Sequence, residues 1–352
     1  MTKTGTVWAL SILGAAAAFG QQAPRALSVQ APQDPREADV LKSCKTPPQG
    51  RGGRGGGGGG GGARGPARAA ATPAAPKEVT GIPGVIAAGA QWKEIWSVNG
   101  NNADGIIATP DGGILIAQND NSAIVKLSPD GTAEYAYFGT NTGGSVARNS
   151  KGDLFVVNRG FNPSVEQLTP HRHILANKFN GDPLDCIGGV MNDVTADSHG
   201  GVYFTYSGLF HADASGKITK YGENLNTNGI MLSADEKHLW VTNGQSLAEF
   251  DVQKDGSLTK QREFAKLGGN GDGSTFDAAG RLYVTTTAPG VQVIGPDGKD
   301  LGTIPTPRGV ISVTISGPDH KTLYAVSRDN ATNKDWIIAI PLLAQGPKGR
   351  GK

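Results

Sequence analysis

Only two cysteines, Cys44 and Cys186, occur in the 352 residues, too few for a disulfide framework or a four-cysteine zinc site. No apolar run reaches the ~18–20 residues that a spanning helix needs, which excludes a polytopic membrane protein. The net charge of +2 is too slight to indicate a nucleic-acid surface. Long 3.6-period apolar stripes are missing, which argues against a helical solenoid. There is no G-x-S-x-G elbow for a nucleophilic serine. Glycine is in excess at 53 residues, much of it in one tract near the front. With 37% hydrophobic residues the chain can still form one large domain or two ordinary ones.

Residues 1–20 read as an export signal. Lys3 supplies the positive start, Val7 to Phe19 an apolar core too short to span, and Ala18-Phe19-Gly20 a small-x-small cleavage site. The expected location is periplasmic or extracellular. Residues 21–90 read as a disordered Gly/Ala/Pro-rich linker. Gly52 to Gly65 is nearly all glycine, punctuated by arginine, and such a segment buries too little apolar surface to offset its ordering entropy. A flexible basic tether is favoured over an arginine-glycine RNA-binding segment, because an exported chain rarely meets RNA. Cys44 and Cys186 could pair in an oxidising compartment, but closing a loop through a floppy tether gives no strong reason to expect it. Residues 343–352 form a basic tail.

From about residue 91 the chain repeats. Six segments combine a small Gly or Asp turn with three or four apolar residues: TPDGGILIAQ from Thr109, NSKGDLFVVN from Asn149, DSHGGVYFTY from Asp197, SADEKHLWVTN from Ser233, DAAGRLYVTT from Asp277 and GPDHKTLYAVS from Gly317. Their middle apolar residues, from Leu115 to Tyr324, lie on average about 42 residues apart, the spacing of four-stranded propeller blades. A short run before each turn pairs with the apolar run as a hairpin, and third and fourth strands follow. The fold expected is an all-β, six-bladed β-propeller over residues 91–342. A spare strand at Gln91 to Val98 is expected to complete the last blade, since an unclosed ring would leave an exposed edge.

Equivalent positions in a propeller form rings around its channel. Counting back eleven or twelve residues from each middle apolar residue reaches Asp104, Gly144, Asn192, Asn228, Asp272 and Ser312. Taken singly, Asp104-Gly105, Asn228-Gly229 and Asp272-Gly273 read as turn dipeptides. Taken as one column, Asp104, Asn192, Asn228 and Asp272 offer hard oxygen donors suited to Ca²⁺, with Mg²⁺, Mn²⁺ or Zn²⁺ as other divalent candidates. Zinc would call for His or Cys, and none of the six histidines falls in the column. The ends of the second strands return to the same mouth and supply candidate substrate contacts: Asn158, Arg159, Tyr206, Asn243 and Arg328. The two arginines suit hydroxyls or a carboxylate.

The stretches NDVTADSHGGVYFT from Asn192, NGIMLSADEKHLWVTNG from Asn228, DGSTFDAAGRLYVT from Asp272 and GPDHKTLYAV from Gly317 resemble the senescence-marker-protein/gluconolactonase family, which includes regucalcin. The resemblance implies a six-bladed propeller with a divalent ion, usually Ca²⁺, in its channel. Asn192, Asn228 and Asp272 match the family's two Asn and one Asp ligands. Asp104 stands where the family carries Glu, a side chain longer by about 1.5 Å. Gly143-Gly144-Ser145 stands where many members have an Asn-containing motif, and Tyr206 and Asn243 replace positions that are often Asp.

The activity this resemblance implies is metal-dependent hydrolysis of a small-molecule cyclic ester, a sugar lactone, with Asp272 as the catalytic base. Asp193 could orient the neighbouring ligand. The alternatives are a secreted, non-catalytic propeller that binds a glycan or peptide, or a phosphotriesterase or lyase on the same metal site. The chain is expected to be a monomer without nucleic-acid partners.

Overall fold

The computed structural model describes residues 35–46, 78–347 and 349. The export signal and the glycine tract lie outside them. Among the described residues, helix is confined to Pro35–Ser43 and a 3-10 turn at Leu184–Ile187. Six four-stranded antiparallel sheets make up nearly everything else. Their innermost strands are Ile106–Ala108, Gly143–Arg148, Met191–Ala196, Thr227–Leu232, Gly271–Phe276 and Val310–Ser316 in blades one to six. Each touches the next, and the sixth touches the first, so the sheets form a closed six-bladed propeller.

The repeated apolar runs are the second strands, such as Leu154–Asn158 and Leu282–Thr286, and every residue in these two is buried. A strand flanked by a blade on either face has no solvent side, which is why these runs do not alternate apolar and polar. The core is accordingly partitioned into six clusters, one in each gap between neighbouring blades. Phe155, Phe204 and Phe210, for example, fill the gap between blades two and three.

Closure follows the expected scheme. Lys93–Asn99 pairs antiparallel with Lys334–Pro341 as the outermost strand of blade six. Asp335 fastens the seam. It is fully buried and accepts the backbone N–H groups of Asn102 and Ala103, both at 2.9 Å, where the chain enters blade one. Arg328 of blade six donates to the same carboxylate through Nε and Nη2 at 2.8 and 2.9 Å.

Three expectations need correction. Residues 78–90 belong to the folded body: Val79, Ile82, Val85 and Ile86 are buried against blades five and six. The start of the supposed tail packs there too, with Leu343 and Ala344 donating N–H to the Val85 carbonyl at 2.8 and 3.2 Å. Third, Cys44 and Cys186 form a disulfide across 142 residues, with Cα atoms 5.7 Å apart. The chain around Cys44 is ordered by the helix Pro35–Ser43 and by Lys45, whose N–H and Nζ bond Asp182 and the Asn180 carbonyl. The pairing partner is therefore presented by folded chain, so the entropic objection to closure is weaker than the composition suggested.

Removing Asp335 leaves a buried guanidinium edge and two backbone donors unpaired. Asp335→Ala is expected to cost about 3–5 kcal/mol, which at this size lowers the thermal midpoint by roughly 10 °C. Calorimetry would check this, and a loss below about 2 °C would contradict the seam role.

Candidate functional site

A β-bulge interrupts five of the six innermost strands at the same place. In blade three Met191 pairs with Tyr206 and Val194 with Phe204, so Asn192 and Asp193 together oppose the single Thr205. Blades four and five repeat the pattern with Asn228-Gly229 opposite Thr242 and Asp272-Gly273 opposite Thr285. In blade two the extra residue is Gly144. Blade one reaches the same geometry through backbone bonds from Asp104 N to Ala117 O and from Ala117 N to Gly105 O. The Asn-Gly and Asp-Gly pairs of blades four and five are thus inside strands, not turns. Each bulge adds one residue and tips it out of the ladder toward the axis.

This register corrects one column position. In blade six Val310 pairs with Ser327 and Ser312 with Val326, so the bulged residue is Ile311. Ser312 lies one step along, where its Oγ accepts the N–H of Ile106 in blade one at 3.3 Å. Equivalent to it are Gly105, Ser145, Asp193, Gly229 and Gly273, a ring that joins blades. Asp193 accepts Ser145 Oγ at 2.6 Å and the Ile230 N–H at 3.0 Å, linking blades two, three and four.

Three bulges are braced by threonine hydroxyls. Thr205 accepts the Asp193 N–H and donates to the Asn228 carbonyl. Thr242 accepts the Asn228 N–H, and Thr285 donates to the Gly273 carbonyl. The motifs FTY, VTN and VTT carried this signal in the sequence, two residues after each middle apolar residue. Blades one, two and six have Ala117, Val157 and Val326 there instead.

Asp104 is held differently. Its Oδ2 accepts Arg159 Nη1 at 2.5 Å and Asn119 Nδ2 at 2.8 Å. Asn119 also reaches Asn101, which Arg328 bonds in turn, so one polar chain runs from the seam carboxylate Asp335 to the channel. Asn101 and Asn119 were not recognised from sequence, although Asn119 stands four residues after Leu115, the repeat position that Arg159 and Arg328 hold after Phe155 and Tyr324.

Of the five substrate candidates, Arg159 meets Asp104 and the Asn192 carbonyl, and Arg328 is linked to it through this chain. The other three are placed elsewhere. Tyr206 is buried in the core between blades two and three. Asn158 donates to Ser164 and Glu166 on the flank of blade two. Asn243 accepts the Asn226 N–H and lines a groove beside Glu223 and Arg262. Strand alternation explains the correction for Tyr206 and Asn243: Thr205 and Thr242 take the inward direction, so their successors point away.

Asp272 is part-exposed at the bulge of the innermost strand of blade five. Burial, followed by repulsion from Asp104 and Asp193, pushes its carboxyl up to about 8, against a smaller pull from Arg159 and the Gly273 N–H. That coupling places Asp272 of blade five electrostatically in touch with Asp104 of blade one across the axis. The side-chain oxygen Oδ1 of Asn192 is buried without a hydrogen-bond partner. Among the described residues no three His, Cys, Asp or Glu side chains gather at metal-binding spacing. A cation here would therefore draw on amide oxygens beside Asp272, and the unpartnered Asn192 oxygen fits that demand. The most buried histidine, His211, bonds Asp197 at 3.0 Å and stacks on Tyr203.

A closed six-bladed propeller whose innermost strands bulge at Asn192, Asn228 and Asp272 defines the class. Residues 139–329 match the model of the SMP-30/gluconolactonase/LRE-like region, more than half of the chain, and the protein belongs to that family. It is 25% identical over 287 residues to a gluconolactonase of Zymomonas mobilis subsp. mobilis, covering 70% of this chain and 79% of that one. It is 28% identical over 257 residues to the lactonase drp35 of Staphylococcus saprophyticus, covering 65% and 72%. Among solved structures, a gluconolactonase from Xanthomonas campestris superposes with a TM-score of 0.62 at 18% identity, covering 76% of this chain and 95% of that one. A calcium-binding protein, regucalcin, from Agrobacterium tumefaciens gives 0.59 at 17% identity, covering 73% and 96%. At these identities the structural likenesses speak to the fold.

The raised carboxyl has a stability consequence for cation-free protein. Unfolded Asp272 ionises near 3.8, whereas the folded chain keeps its proton up to about 8. The neutral group therefore supports the fold at low pH, and that support is lost as pH rises through this window. Asp272→Asn is neutral throughout. In chelator, its thermal midpoint should match wild type near pH 4 and exceed it by roughly 5 °C or more at pH 8. A gap that stays constant from pH 4 to pH 8 would contradict the assignment.

Proposed function

We propose that the chain is an exported, Ca²⁺-dependent lactonase that opens a sugar lactone or related cyclic ester in the propeller channel. The observation that carries the site is the buried Asn192 oxygen without a hydrogen-bond partner, on a bulge equivalent to that of Asp272, whose carboxyl burial and the charges of Asp104 and Asp193 push up. Both conditions are relieved by one hard divalent cation. Asn192, Asn228 and Asp272 would hold it, with Asp104 on the far side. When bound, such an ion would act as a Lewis acid on the ester carbonyl. The family and its lactonase members support the ester substrate.

The chain's own residues divide the remaining work. Asp272, ionised beside a divalent charge, accepts a proton from the attacking water as the water oxygen bonds to the carbonyl carbon. The same proton returns to the ring oxygen as the ring C–O bond breaks, so the products are one hydroxyl and one carboxyl. Asp193, fixed to Ser145 and Ile230, holds the bulge that presents Asn192. Arg159 uses four of its five N–H bonds within the protein, and the fifth is free to meet a substrate oxygen. Export is supported by the signal-like start and by the Cys44–Cys186 disulfide, which persists in oxidising compartments.

A panel of sugar lactones, assayed with chelator and with Ca²⁺ restored, tests this reading. Hydrolysis of at least one lactone should fall to background in chelator and return with Ca²⁺. Asp272→Asn should lower kcat/KM by about 100-fold or more. Chelator-insensitive hydrolysis, or no hydrolysis beside cation binding, would overturn it, the latter in favour of a binding propeller.

A further inference from the structure

Arg159 brings a permanent positive charge to Asp104, and its path is built into the backbone. The side chain of Arg159 passes over Gly144, where a Cβ would lie 1.7 Å from Nε. Only glycine leaves that path open. Along it the guanidinium, carried by blade two, collects partners from blades one and three. Nε donates to the Met191 carbonyl at 2.6 Å and Nη2 to the Asn192 carbonyl at 2.7 Å. Nη1 donates to Asp104 Oδ2 at 2.5 Å and to Asn119 Oδ1 at 3.2 Å. The Arg159 side chain is 6% exposed, so little solvent screens the ion pair.

The donors divide into two groups. Asn192, Asn228 and Asp272 come from adjacent blades three, four and five, with their bulges braced by Thr205, Thr242 and Thr285. Asp104 comes from blade one, has no such threonine, and already receives two donors on one oxygen. A divalent ion and Arg159 would therefore seek the same carboxylate. We infer that Arg159 is a built-in competitor for Asp104, which weakens divalent-cation binding and shifts the ion's seat toward blades three to five. This rests on the cation site of the proposed function and adds a residue that sets its affinity.

Isothermal titration of Ca²⁺ into metal-depleted full-length protein tests the inference without an activity readout. Arg159→Met removes the competing charge and frees Asp104, so Ca²⁺ should bind about tenfold tighter or more. The gain should shrink in Asp104→Asn/Arg159→Met relative to Asp104→Asn, because the contested carboxylate is gone. If Arg159→Met does not fold, Gly144→Ala offers a second route: its Cβ expels the guanidinium while the charge stays on the chain, and binding should again tighten. Thermal shift should agree, with Ca²⁺ raising the midpoint of each variant more than that of wild type. Wild-type or weaker Ca²⁺ affinity in both single variants would overturn the competition while leaving the cation site intact. Absence of binding in wild type and every variant would overturn the cation site and the competition together.

Discussion

The organising constraint is how closely six innermost strands approach one another at the axis. A Cβ on Gly229 would lie 2.1 Å from the Asp272 carbonyl oxygen, and one on Gly105 would lie 2.4 Å from Ser145 Oγ. Gly273 is similarly confined, 2.7 Å from the Ile311 carbonyl oxygen. Neither backbone nor the opposite blade can yield there without opening the ring. Glycine therefore occupies the ring position beside Asp104, Asn228 and Asp272, and the bulge turns the preceding residue inward. Where the ring position is not glycine, its side chain bonds across the gap: Ser145 to Asp193, Asp193 also to the Ile230 N–H, and Ser312 to the Ile106 N–H.

Tight closure then sets the electrostatics. Side chains tipped inward leave bulk water but do not enter an apolar core, so they must find partners within the ring. Blades three to five meet this with threonine braces on the backbone, which leave the Asn and Asp side chains uncommitted. Blade one meets it with side-chain partners, Arg159 and Asn119, which commit Asp104. The result is a lopsided channel. Uncommitted oxygen donors lie along one half, an ion pair lies along the other, and Ile311 contributes an apolar stretch between blades five and one.

Much of this was legible in the sequence, and the misses have physical causes. The turn-plus-apolar repeat set blade number and hairpin order because each second strand is buried on both faces in every blade. The spare strand was legible because a ring must close. The column was found to within one residue: counting from the apolar centre cannot see a bulge, so it landed on Ser312 instead of Ile311. Strand ends misled in the same way. Tyr206 and Asn243 were placed at the mouth by strand direction alone, although alternation gives that side to Thr205 and Thr242. Long-range features were the least legible. Arg159 and Asp104 lie 55 positions apart, and Cys44 and Cys186 lie 142 apart. No local pattern records such pairs. The folded stretch before residue 91 was hidden because the composition of its neighbours, not its own VTGIPGVIAAGA, dominated the reading.

Asp104, Gly144 and Arg159 form one geometric unit. Asp in place of Glu at position 104 and the absence of an Asn-containing motif at 143–145 are separate substitutions in the sequence, and Arg159 is an unrelated residue fifteen positions beyond Gly144. In the folded chain each requires the others. Gly144 opens the space, Arg159 fills it, and a carboxylate withdrawn by about 1.5 Å stays within reach of the guanidinium instead of extending to the axis. Restoring any one alone would break a contact: a side chain at 144 collides with Nε, and an uncharged residue at 159 leaves Asp104 with Asn119 as its remaining side-chain donor. Substitution at this site is therefore coupled: Asp104, Gly144 and Arg159 keep their contacts only together.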